Sequence, residues 1–368
     1  MTGEAALRIP AERVRAQIEA VLAAWGMGEP ARRITAEVMV ETDLMGIDSH
    51  GISMLLLYDQ MHRAGQLRLD AEPKIVRESK TTALLDGGAG LGHPVSVRAM
   101  ELAIEKALEH DVGIVSVRNS HHHGACGYYA NMAAKRGLLA MVASSSRIIN
   151  VVPTFGAERV LGTNPLAFAT PAGRHAPVIL DMATSVVAAN KVKVYALNGK
   201  PLPPGWVVDG EGRPVVDAEA AYKLLFEGGL GGLTPIGGSG KELGGHKGYG
   251  LSIFAQIFGS TLAGGSFSPV RNRTQRPGDP DNIGHFFMAL NPAAFRPAAE
   301  FEEDVATIVD TLRTTARADG AQPVLLPGDP EREARAERLV SGIPMPATLL
   351  EKLREIARAA GAAWHLEN

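Results

Sequence analysis

The stretch GIVSVRNSHHHGACGYYA, residues 113–130, decides the fold class of this chain of 368 residues. Its first six residues, 113–118, have the composition of a β-strand, and residues 128–136 predict a helix. The polar loop between them, residues 119–124, follows the carboxyl end of the strand, where ligand sites of α/β proteins tend to form. The stretch therefore predicts an α/β unit with a candidate site in its loop.

Segments on both sides extend this pattern. Short apolar runs predict a hairpin and further strands at 74–78, 81–86, 138–144, 166–170, 178–181 and 284–290. Helical periodicity begins after Pro10 and predicts further helices at 31–44, 54–63, 95–109, 249–262, 301–318, 331–338 and 346–360. We therefore predict an α/β (α+β) fold, in which residues 75–295 form a domain with a mixed sheet. Residues 1–74 and 296–368 together would form a helical region that contributes to a substrate site and to dimerisation.

Composition narrows the functional class. Lys and Arg number 37 against 40 Asp and Glu, so no basic excess favours nucleic acid as a partner. The single cysteine, Cys126, cannot form a disulfide within the chain. The N-terminal residues lack the long apolar run of a signal peptide, and apolar runs elsewhere are too short to cross a bilayer. The expectation is a cytoplasmic protein with no membrane and no nucleic-acid partner.

Two nucleotide-binding fingerprints fail on spacing. DGGAGLGH, residues 86–93, lacks the third glycine of a dinucleotide fingerprint because His93 stands in its place. Gly240-Lys241 lacks the flanking residues of a P-loop. The sequence therefore predicts neither a Rossmann nor a P-loop fold.

Histidines in polar turns are the stronger signal. In DSHG, residues 48–51, Asp48 and Ser49 flank His50 and could orient an imidazole that gains or loses a proton near neutral pH. The alternative is a helix-capping turn with an incidental histidine. His121, His122 and His123 suggest a metal, but consecutive side chains point in different directions, so contact with cofactor or substrate is favoured over a metal site. A loop exposed to solvent is the remaining alternative.

Three further motifs carry polar groups. DMATS begins with Asp181, which could orient a histidine or cap a helix. GGHKGYG places His246 and Lys247 among glycines before a helix, an arrangement suited to an anion. LGTNP carries Thr163 and Asn164, which could face a ligand or shape a loop.

In order along the chain, these motifs resemble the malate/L-lactate dehydrogenase family, which is distinct from the Rossmann-type lactate and malate dehydrogenases. The family also includes ureidoglycolate, sulfolactate and diketogulonate enzymes and a cyclic-imine reductase. The resemblance covers about residues 36–331. Its motifs are DSHG at 48–51, NSHHHGACGYYA at 119–130, LGTNPLAFATP at 161–171, LDMATS at 180–185, GWVVDGEG at 205–212, HKGYGL at 246–251 and PGDPE at 327–331.

The resemblance implies a homodimeric oxidoreductase that uses NAD or NADP in a non-Rossmann fold, with sites near the subunit interface. It assigns proton transfer to His50, with Ser49 alongside, or in some members to His122; we favour His50. Asp181 matches the supporting acid. The cofactor contacts carried over are Ser120, His122, Ser146, Asp181, Met182, Ala183, Thr184, Ser185, His246, Lys247, Pro327 and Gly328.

One position departs from the family pattern. Many members have an arginine four residues after the histidine of the SHG motif, where it is expected to hold the substrate carboxylate. This chain has Met54 there. Arg147 could take over, and Thr163 and Asn164 are further candidate substrate contacts.

The leading hypothesis is reversible hydride transfer between nicotinamide and the C2 carbon of a 2-oxo acid, a 2-hydroxy acid or a cyclic imino acid. Two alternatives remain: a metal-dependent hydrolase or lyase that uses His121–His123, and a non-catalytic NAD(P)H-binding protein. For NADP, the loop with Arg271, Arg273 and Arg276 offers cations by composition alone, and a solvated basic loop is the other interpretation.

Overall fold

A computed structural model describes residues 7–318, 320 and 322–367. Within these residues there are eleven strands: β1 Leu7–Ile9, β2 Lys74–Glu78, β3 Thr82–Gly90, β4 Val112–Ser120, β5 Leu139–Ser144, β6 Leu166–Ala172, β7 His175–Met182, β8 Val207–Asp209, β9 Gly231–Leu233, β10 Ile283–Leu290 and β11 Ile343–Met345.

The same residues contain twelve α-helices: α1 Ala11–Ala24, α2 Glu29–Leu44, α3 Leu55–Arg63, α4 Gly92–His110, α5 Cys126–Ala134, α6 Ala189–Leu197, α7 Ala218–Glu227, α8 Gly245–Gly259, α9 Ser268–Thr274, α10 Ala298–Thr314, α11 Asp329–Ser341 and α12 Ala347–Ala360. Short 3-10 turns cover Ile52–Met54, Thr261–Ala263 and Pro292–Ala294. No helix of the described residues is both long and apolar enough to cross a membrane.

The predicted α/β fold with a mixed sheet is confirmed. Seven strands form one sheet in the order β2-β3-β4-β10-β5-β6-β7. The β3–β4 pair is parallel and every other neighbouring pair is antiparallel. A doubly wound nucleotide-binding sheet is mostly parallel, so this topology agrees with the failed fingerprints. The predicted hairpin is the antiparallel pair β2–β3.

Small residues let α4 and α5 pack closely on the sheet. A side chain at Gly113 of β4 would lie 1.9 Å from the backbone oxygen of Ala103 in α4, so only glycine allows this approach. Ala99, Ala103, Val115 and Val117 are all fully buried between helix and strand. This close packing fixes the position of the loop that follows β4.

The helices near the two chain ends share one core. Val14, Ile18 and Leu22 of α1 pack in the same cluster as Leu353 of α12, and β1 pairs with β11. α10 instead packs on β6, where Val309 meets Ala172. The division into 75–295 and a region built from both ends stays a prediction.

Some elements differ from the predicted pattern. The predicted helix at 249–262 begins earlier, at Gly245, and ends at Gly259 before a 3-10 turn. The helix predicted from 54 begins with the 3-10 turn Ile52–Met54. The pattern did not predict α6, α7, β8 and β9, which share a separate small core with Val192, Val207 and Leu233.

One edge of the seven-stranded sheet collects most of the candidate residues. β3, β4, β5 and β7 end there, and β6 and β10 begin there, as shown by the paired residues Gly90 with Ser120, Ser120 with Ile283, and Leu166 with Met182. We call this the loop edge; it comprises residues 91–93, 121–125, 145–147, 163–165, 183–185 and 281–282. Segments that are distant in sequence therefore meet at the loop edge.

Candidate active site

The turn that carries His50 is held in place from three sides. Asp43 of α2 accepts a hydrogen bond from the Ile52 N–H at 2.8 Å. A Cβ at Gly51 would lie 1.8 Å from the Asp43 carboxylate, so the turn requires glycine at this position. Arg338 of α11 donates to the Asp43 backbone oxygen and pairs with the Asp48 carboxylate. The backbone of His50 is thereby fixed.

His50 is half-buried and uncharged at neutral pH. Its Nδ1 lies 2.7 Å from the Ser49 hydroxyl, a contact the sequence analysis anticipated. The Asp48 carboxylate, which was also expected to orient the ring, is engaged by Arg338 instead. Burial lowers the pKa of His50 to about 4. A neutral imidazole can accept a proton, and with Nδ1 at Ser49 the nitrogen left to do so is Nε2.

His122 lies beside His50, with the two ring centres 5.1 Å apart. Tyr58 of α3 contacts His122, with its hydroxyl 2.6 Å from Nδ1. Burial, and next the neighbouring His50 and His93, lower the pKa of His122 well below its usual value. The structure therefore brings both candidate histidines into one uncharged pair.

The three consecutive histidines diverge, as expected for adjacent side chains. His121 points to Asp281, with Nδ1 3.5 Å from Oδ2, whereas His123 contacts the Ser96 hydroxyl at 3.0 Å. No cluster of three or more His, Cys, Asp or Glu side chains that could hold a metal ion occurs in the part of the chain that the structure describes.

Sequence reasoning missed two buried histidines next to this pair. His285 of β10 bridges the predicted cofactor residue Ser120 and Ser144, with contacts of 3.0 and 2.8 Å, and its ring stacks on His123 at 4.0 Å. His93, at the start of α4, is fully buried, and neither ring nitrogen has a hydrogen-bond partner among the described residues. Only its position in a glycine-rich segment at a strand end could have indicated it.

A second cluster joins predicted cofactor and substrate residues. The Ser146 and Thr163 hydroxyls are 3.0 Å apart, and the Ser146 N–H donates to the Asn164 side chain at 3.1 Å. Thr184 donates to the backbone oxygen of Thr163 at 3.0 Å. Met182 and Ala183 lead into this cluster from β7, and Ser185 follows it and donates to the Val187 backbone. Two motifs predicted separately, LGTNP and DMATS, thus meet Ser146 in one polar cluster.

The glycine-rich start of α8 adjoins this cluster. The Ile236 N–H donates to the Thr184 backbone oxygen at 3.0 Å, and a Cβ at Gly248 would lie 2.2 Å from the Ile236 oxygen. His246 and Lys247 are exposed in the first turn, which has no side-chain cap. The free N–H groups of a helix start, together with a lysine, suit a negatively charged ligand.

Asp181 lies in the wall of a cavity of about 480 Å³. Its carboxylate accepts a hydrogen bond from the Gly127 N–H at 2.7 Å, and burial raises its pKa to about 6. No described contact joins Asp181 to His50, although Ile47 of the His50 turn lines the same cavity. Gly328 also lines it, and Pro327 accepts a hydrogen bond from the Ile179 N–H. Its other lining residues include Glu41, Tyr128, Lys135, Arg332 and Arg335.

Arg147 lies at the loop edge and is anchored by a buried carboxylate. Its Nε is 2.7 Å from Asp281, which is 2% exposed, and Arg271 contacts the other oxygen at 3.8 Å. Arg271 also donates a hydrogen bond to the Arg147 backbone oxygen, so its guanidinium is already engaged within the protein. The predicted basic loop is in part a helix, because Arg271 and Arg273 lie on α9 and only Arg276 lies in the loop that follows. Arg276 pairs with Asp279, and Arg273 has no partner among the described residues. Met54 is half-buried against the core of the N-terminal helices.

A family model, curated relatives and solved structures each match nearly the whole chain. The family model described as malate/L-lactate dehydrogenase matches residues 9–354. The chain is 39% identical over 355 residues to a malate dehydrogenase of Pyrococcus horikoshii, covering 96% of each chain. It is 35% identical to an L-sulfolactate dehydrogenase of Methanothermobacter thermautotrophicus, covering 96% of this chain and 97% of the relative. The crystal structure of malate dehydrogenase from Entamoeba histolytica superposes with a TM-score of 0.91 at 32% identity, covering 97% and 99%.

Proposed function

The chain belongs to the malate/L-lactate dehydrogenase family, and on that premise we propose that it transfers a hydride between nicotinamide and the C2 carbon of a 2-hydroxy or 2-oxo acid, or of a cyclic imino acid. The observation that carries this proposal is the pair of uncharged, half-buried imidazoles of His50 and His122 beside the loop edge. A dehydrogenase needs a proton acceptor next to the carbon that loses a hydride.

His50 is the proposed acid–base group. Since Ser49 engages Nδ1, Nε2 takes the proton of the substrate hydroxyl during oxidation. During reduction the imidazolium returns that proton to the oxygen of a 2-oxo acid or to the nitrogen of an imine. His122, whose Nδ1 contacts the Tyr58 hydroxyl, is the other imidazole of the pair and is the alternative acid–base group.

The donor set of the site fits a dinucleotide. When bound, the nicotinamide ring supplies or accepts the hydride. The half-buried Ser146 offers a hydroxyl group suited to a carboxamide or a ribose, whereas the predicted contacts Ser120 and Thr184 are fully buried, and their hydroxyls are hydrogen-bonded within the protein. The first turn of α8, with Lys247, offers backbone N–H groups and a cation for the diphosphate. Asp181 and Gly328 line the cavity proposed for the adenosine half, where a carboxylate can accept hydrogen bonds from ribose hydroxyls.

Arg147 is the proposed anchor of the substrate carboxylate. Asp281 holds its Nε edge, and the described residues offer no acceptor to its two terminal nitrogens. Those terminal nitrogens are the donors that remain for a carboxylate. Thr163 is half-buried and hydrogen-bonds Ser146, the residue before Arg147, so it is a further proposed substrate contact. Asn164 is fully buried and shapes this loop through its bonds to Ser146 and Ser252.

A second copy of the chain is the proposed partner. Apolar side chains are exposed along α8 and the turn after it, including Leu251, Ile257 and Leu262. Contiguous exposed apolar surface of this kind marks interaction sites. Sedimentation equilibrium is expected to give a dimer, and conversion to monomers by Ile257→Glu would identify α8 as part of the interface; a monomeric wild type would contradict the proposal.

The test compares matched histidine variants in an absorbance assay with NADH and NADPH against a panel of 2-oxo acids and cyclic imines. His50→Gln is expected to lower kcat by about 10²–10⁴-fold, the usual contribution of general acid–base catalysis, with nucleotide binding retained. His110→Gln, at the far end of α4, is the control and should keep wild-type turnover. Full activity of His50→Gln together with loss in His122→Gln would assign the proton transfer to His122. Nucleotide binding without turnover of any acid or imine would contradict the proposed reaction.

A further inference from the structure

We propose that this site selects 2-hydroxy and 2-oxo acids carrying a single negative charge, and that Asp281 is the positioning residue that sets this selectivity through Arg147. The inference rests on the proposed function, because it concerns the charge of the substrate in that reaction. It is argued from the charges that the described residues place at the loop edge.

The cluster around Asp281 holds one positive charge in excess. Asp281 is the carboxylate shared by two guanidinium groups, Arg147 and Arg271. Burial raises the pKa of Asp281, but the adjacent His121 and the two arginines outweigh burial and hold that pKa below its usual value. Asp281 is therefore ionised and balances only one of the two cations. An excess charge next to buried groups is costly unless an anion completes the cluster.

Of the two arginines that share Asp281, Arg147 is the one that can reach a ligand. Arg271 is 8% exposed and donates to the Arg147 backbone, whereas the Arg147 side chain is 35% exposed. Arg147 Nε lies in an ion pair with Asp281, and the two terminal nitrogens have no acceptor among the described residues. These two nitrogens form the fork that binds one carboxylate with two hydrogen bonds. The cluster therefore supplies a counter-charge for one carboxylate.

No described contact brings a second unpaired cation to this cluster; Arg273 is unpaired, but it is exposed on α9 and makes no described contact with Arg147 or Asp281. His50 and His122 are uncharged at neutral pH, because burial lowers the pKa of each. Arg118 pairs with Asp86, and Arg338 pairs with Asp48. A second carboxylate or a sulfonate would lose its hydration without gaining a counter-charge, so a dianion binds less well than a monoanion of the same shape.

The test uses two substrates of nearly equal shape and different charge: malate, and the amide in which the C4 carboxylate of malate is replaced by a carboxamide. Both enantiomers of each are oxidised with NAD or NADP, and lactate serves as a smaller monoanion. We expect kcat/KM of the wild type to be at least tenfold higher for the amide than for malate. This comparison does not depend on any variant folding.

Variants then test the roles of the two residues. Asp281→Asn removes the balancing charge, so kcat/KM for malate relative to the amide should rise about tenfold, mostly through KM, and Asp281→Glu should restore the wild-type ratio. Arg147→Met should raise KM for both acids with a smaller effect on kcat, and Arg147→Lys should recover part of the loss. Arg296→Met, an exposed arginine paired with Asp304, is the matched control.

Two results would overturn the inference and leave the proposed function intact: malate oxidised with a kcat/KM equal to or above that of the amide, or an unchanged substrate ratio in folded Asp281→Asn. Folding of that variant is checked by its circular dichroism and thermal melting. Failure of the wild type to oxidise any of these acids, or to reduce the matching oxo acids, would instead count against the proposed function itself.

Discussion

Acid is expected to unfold this protein steeply below pH 6, because five histidines in or beside the loop edge take up protons only when the chain unfolds. Burial lowers the pKa of His50 to about 4, and burial lowers the values of His93 and His285 to about 3. Burial also lowers the pKa of His122 and of His123 well below the usual value. In the unfolded chain each would have a pKa of about 6.5. Because of these five histidines, the folded state is more stable above pH 6.5 than at acid pH.

The size of the effect follows from the net number of protons taken up. At about pH 5.5, roughly nine-tenths of each of these histidines would be protonated in the unfolded chain and almost none in the folded protein. Asp43 and Asp181 act in the opposite direction, because burial raises their pKa to about 8 and about 6. They hold a proton when folded and release it on unfolding. On unfolding near pH 5.5 the chain therefore takes up about three protons net. The free energy of unfolding falls by about 4 kcal/mol for each pH unit of acidification.

Urea unfolding followed by circular dichroism between pH 5 and pH 7.5 measures this slope. A typical stability of about 5–15 kcal/mol would be consumed within a few pH units below 6.5. His93→Phe should reduce the slope by about one proton, or about 1.4 kcal/mol per pH unit. His110→Gln, outside the cluster, should leave the slope unchanged. A free energy of unfolding that is flat over this range, or a slope that His93→Phe does not alter, would refute the reasoning.

Two substitutions test the turn that holds His50. Asp43→Asn should raise the free energy of unfolding at pH 7, because folding then no longer has to protonate a carboxyl that is ionised in the unfolded chain, and the amide oxygen still accepts the Ile52 N–H. Relative to Asp43→Asn, wild-type stability should fall as pH rises from about 4 to about 8 and level off above that, so equal slopes in urea unfolding between pH 5.5 and pH 7.5 would contradict the raised pKa. Gly51→Ala places a Cβ 1.8 Å from Asp43 and should cost about 1–3 kcal/mol of stability and lower turnover. A melting temperature and kcat equal to those of the wild type would show that the turn is not so constrained.

Local patterns predicted most elements that bury one continuous apolar face. The strand predicted at 113–118 is the centre of β4, and that predicted at 138–144 is β5. The small α6–α7 layer with β8 and β9 escaped prediction because its strands have three residues each, too few to show a period. The central position of β10 also could not be predicted, since the sequence of a strand does not indicate which other strands it pairs with.

The sequence indicated which residues form the site better than it indicated which of them contact one another. Thr163 and Thr184 come from separate motifs and Ser146 from none, and the loop edge brings the three together. Asp48 was expected at His50 and is bound by Arg338 instead, because α11 returns from the far end of the chain. His285 gave no signal, since it lies in an otherwise apolar strand. The catalytic and cofactor roles of these residues remain predictions.

The place of β10 in the sheet has a consequence for biosynthesis. β4 and β5 are complete by residue 144, but the strand that joins them ends at residue 290. At about 5–20 residues per second, a ribosome needs several seconds or more to make the intervening segment. During that interval the edges of β4 and β5 that later pair with β10 are unpaired, and other chains can pair with them. Yield of native protein should therefore depend on chaperones and on translation speed across residues 145–282.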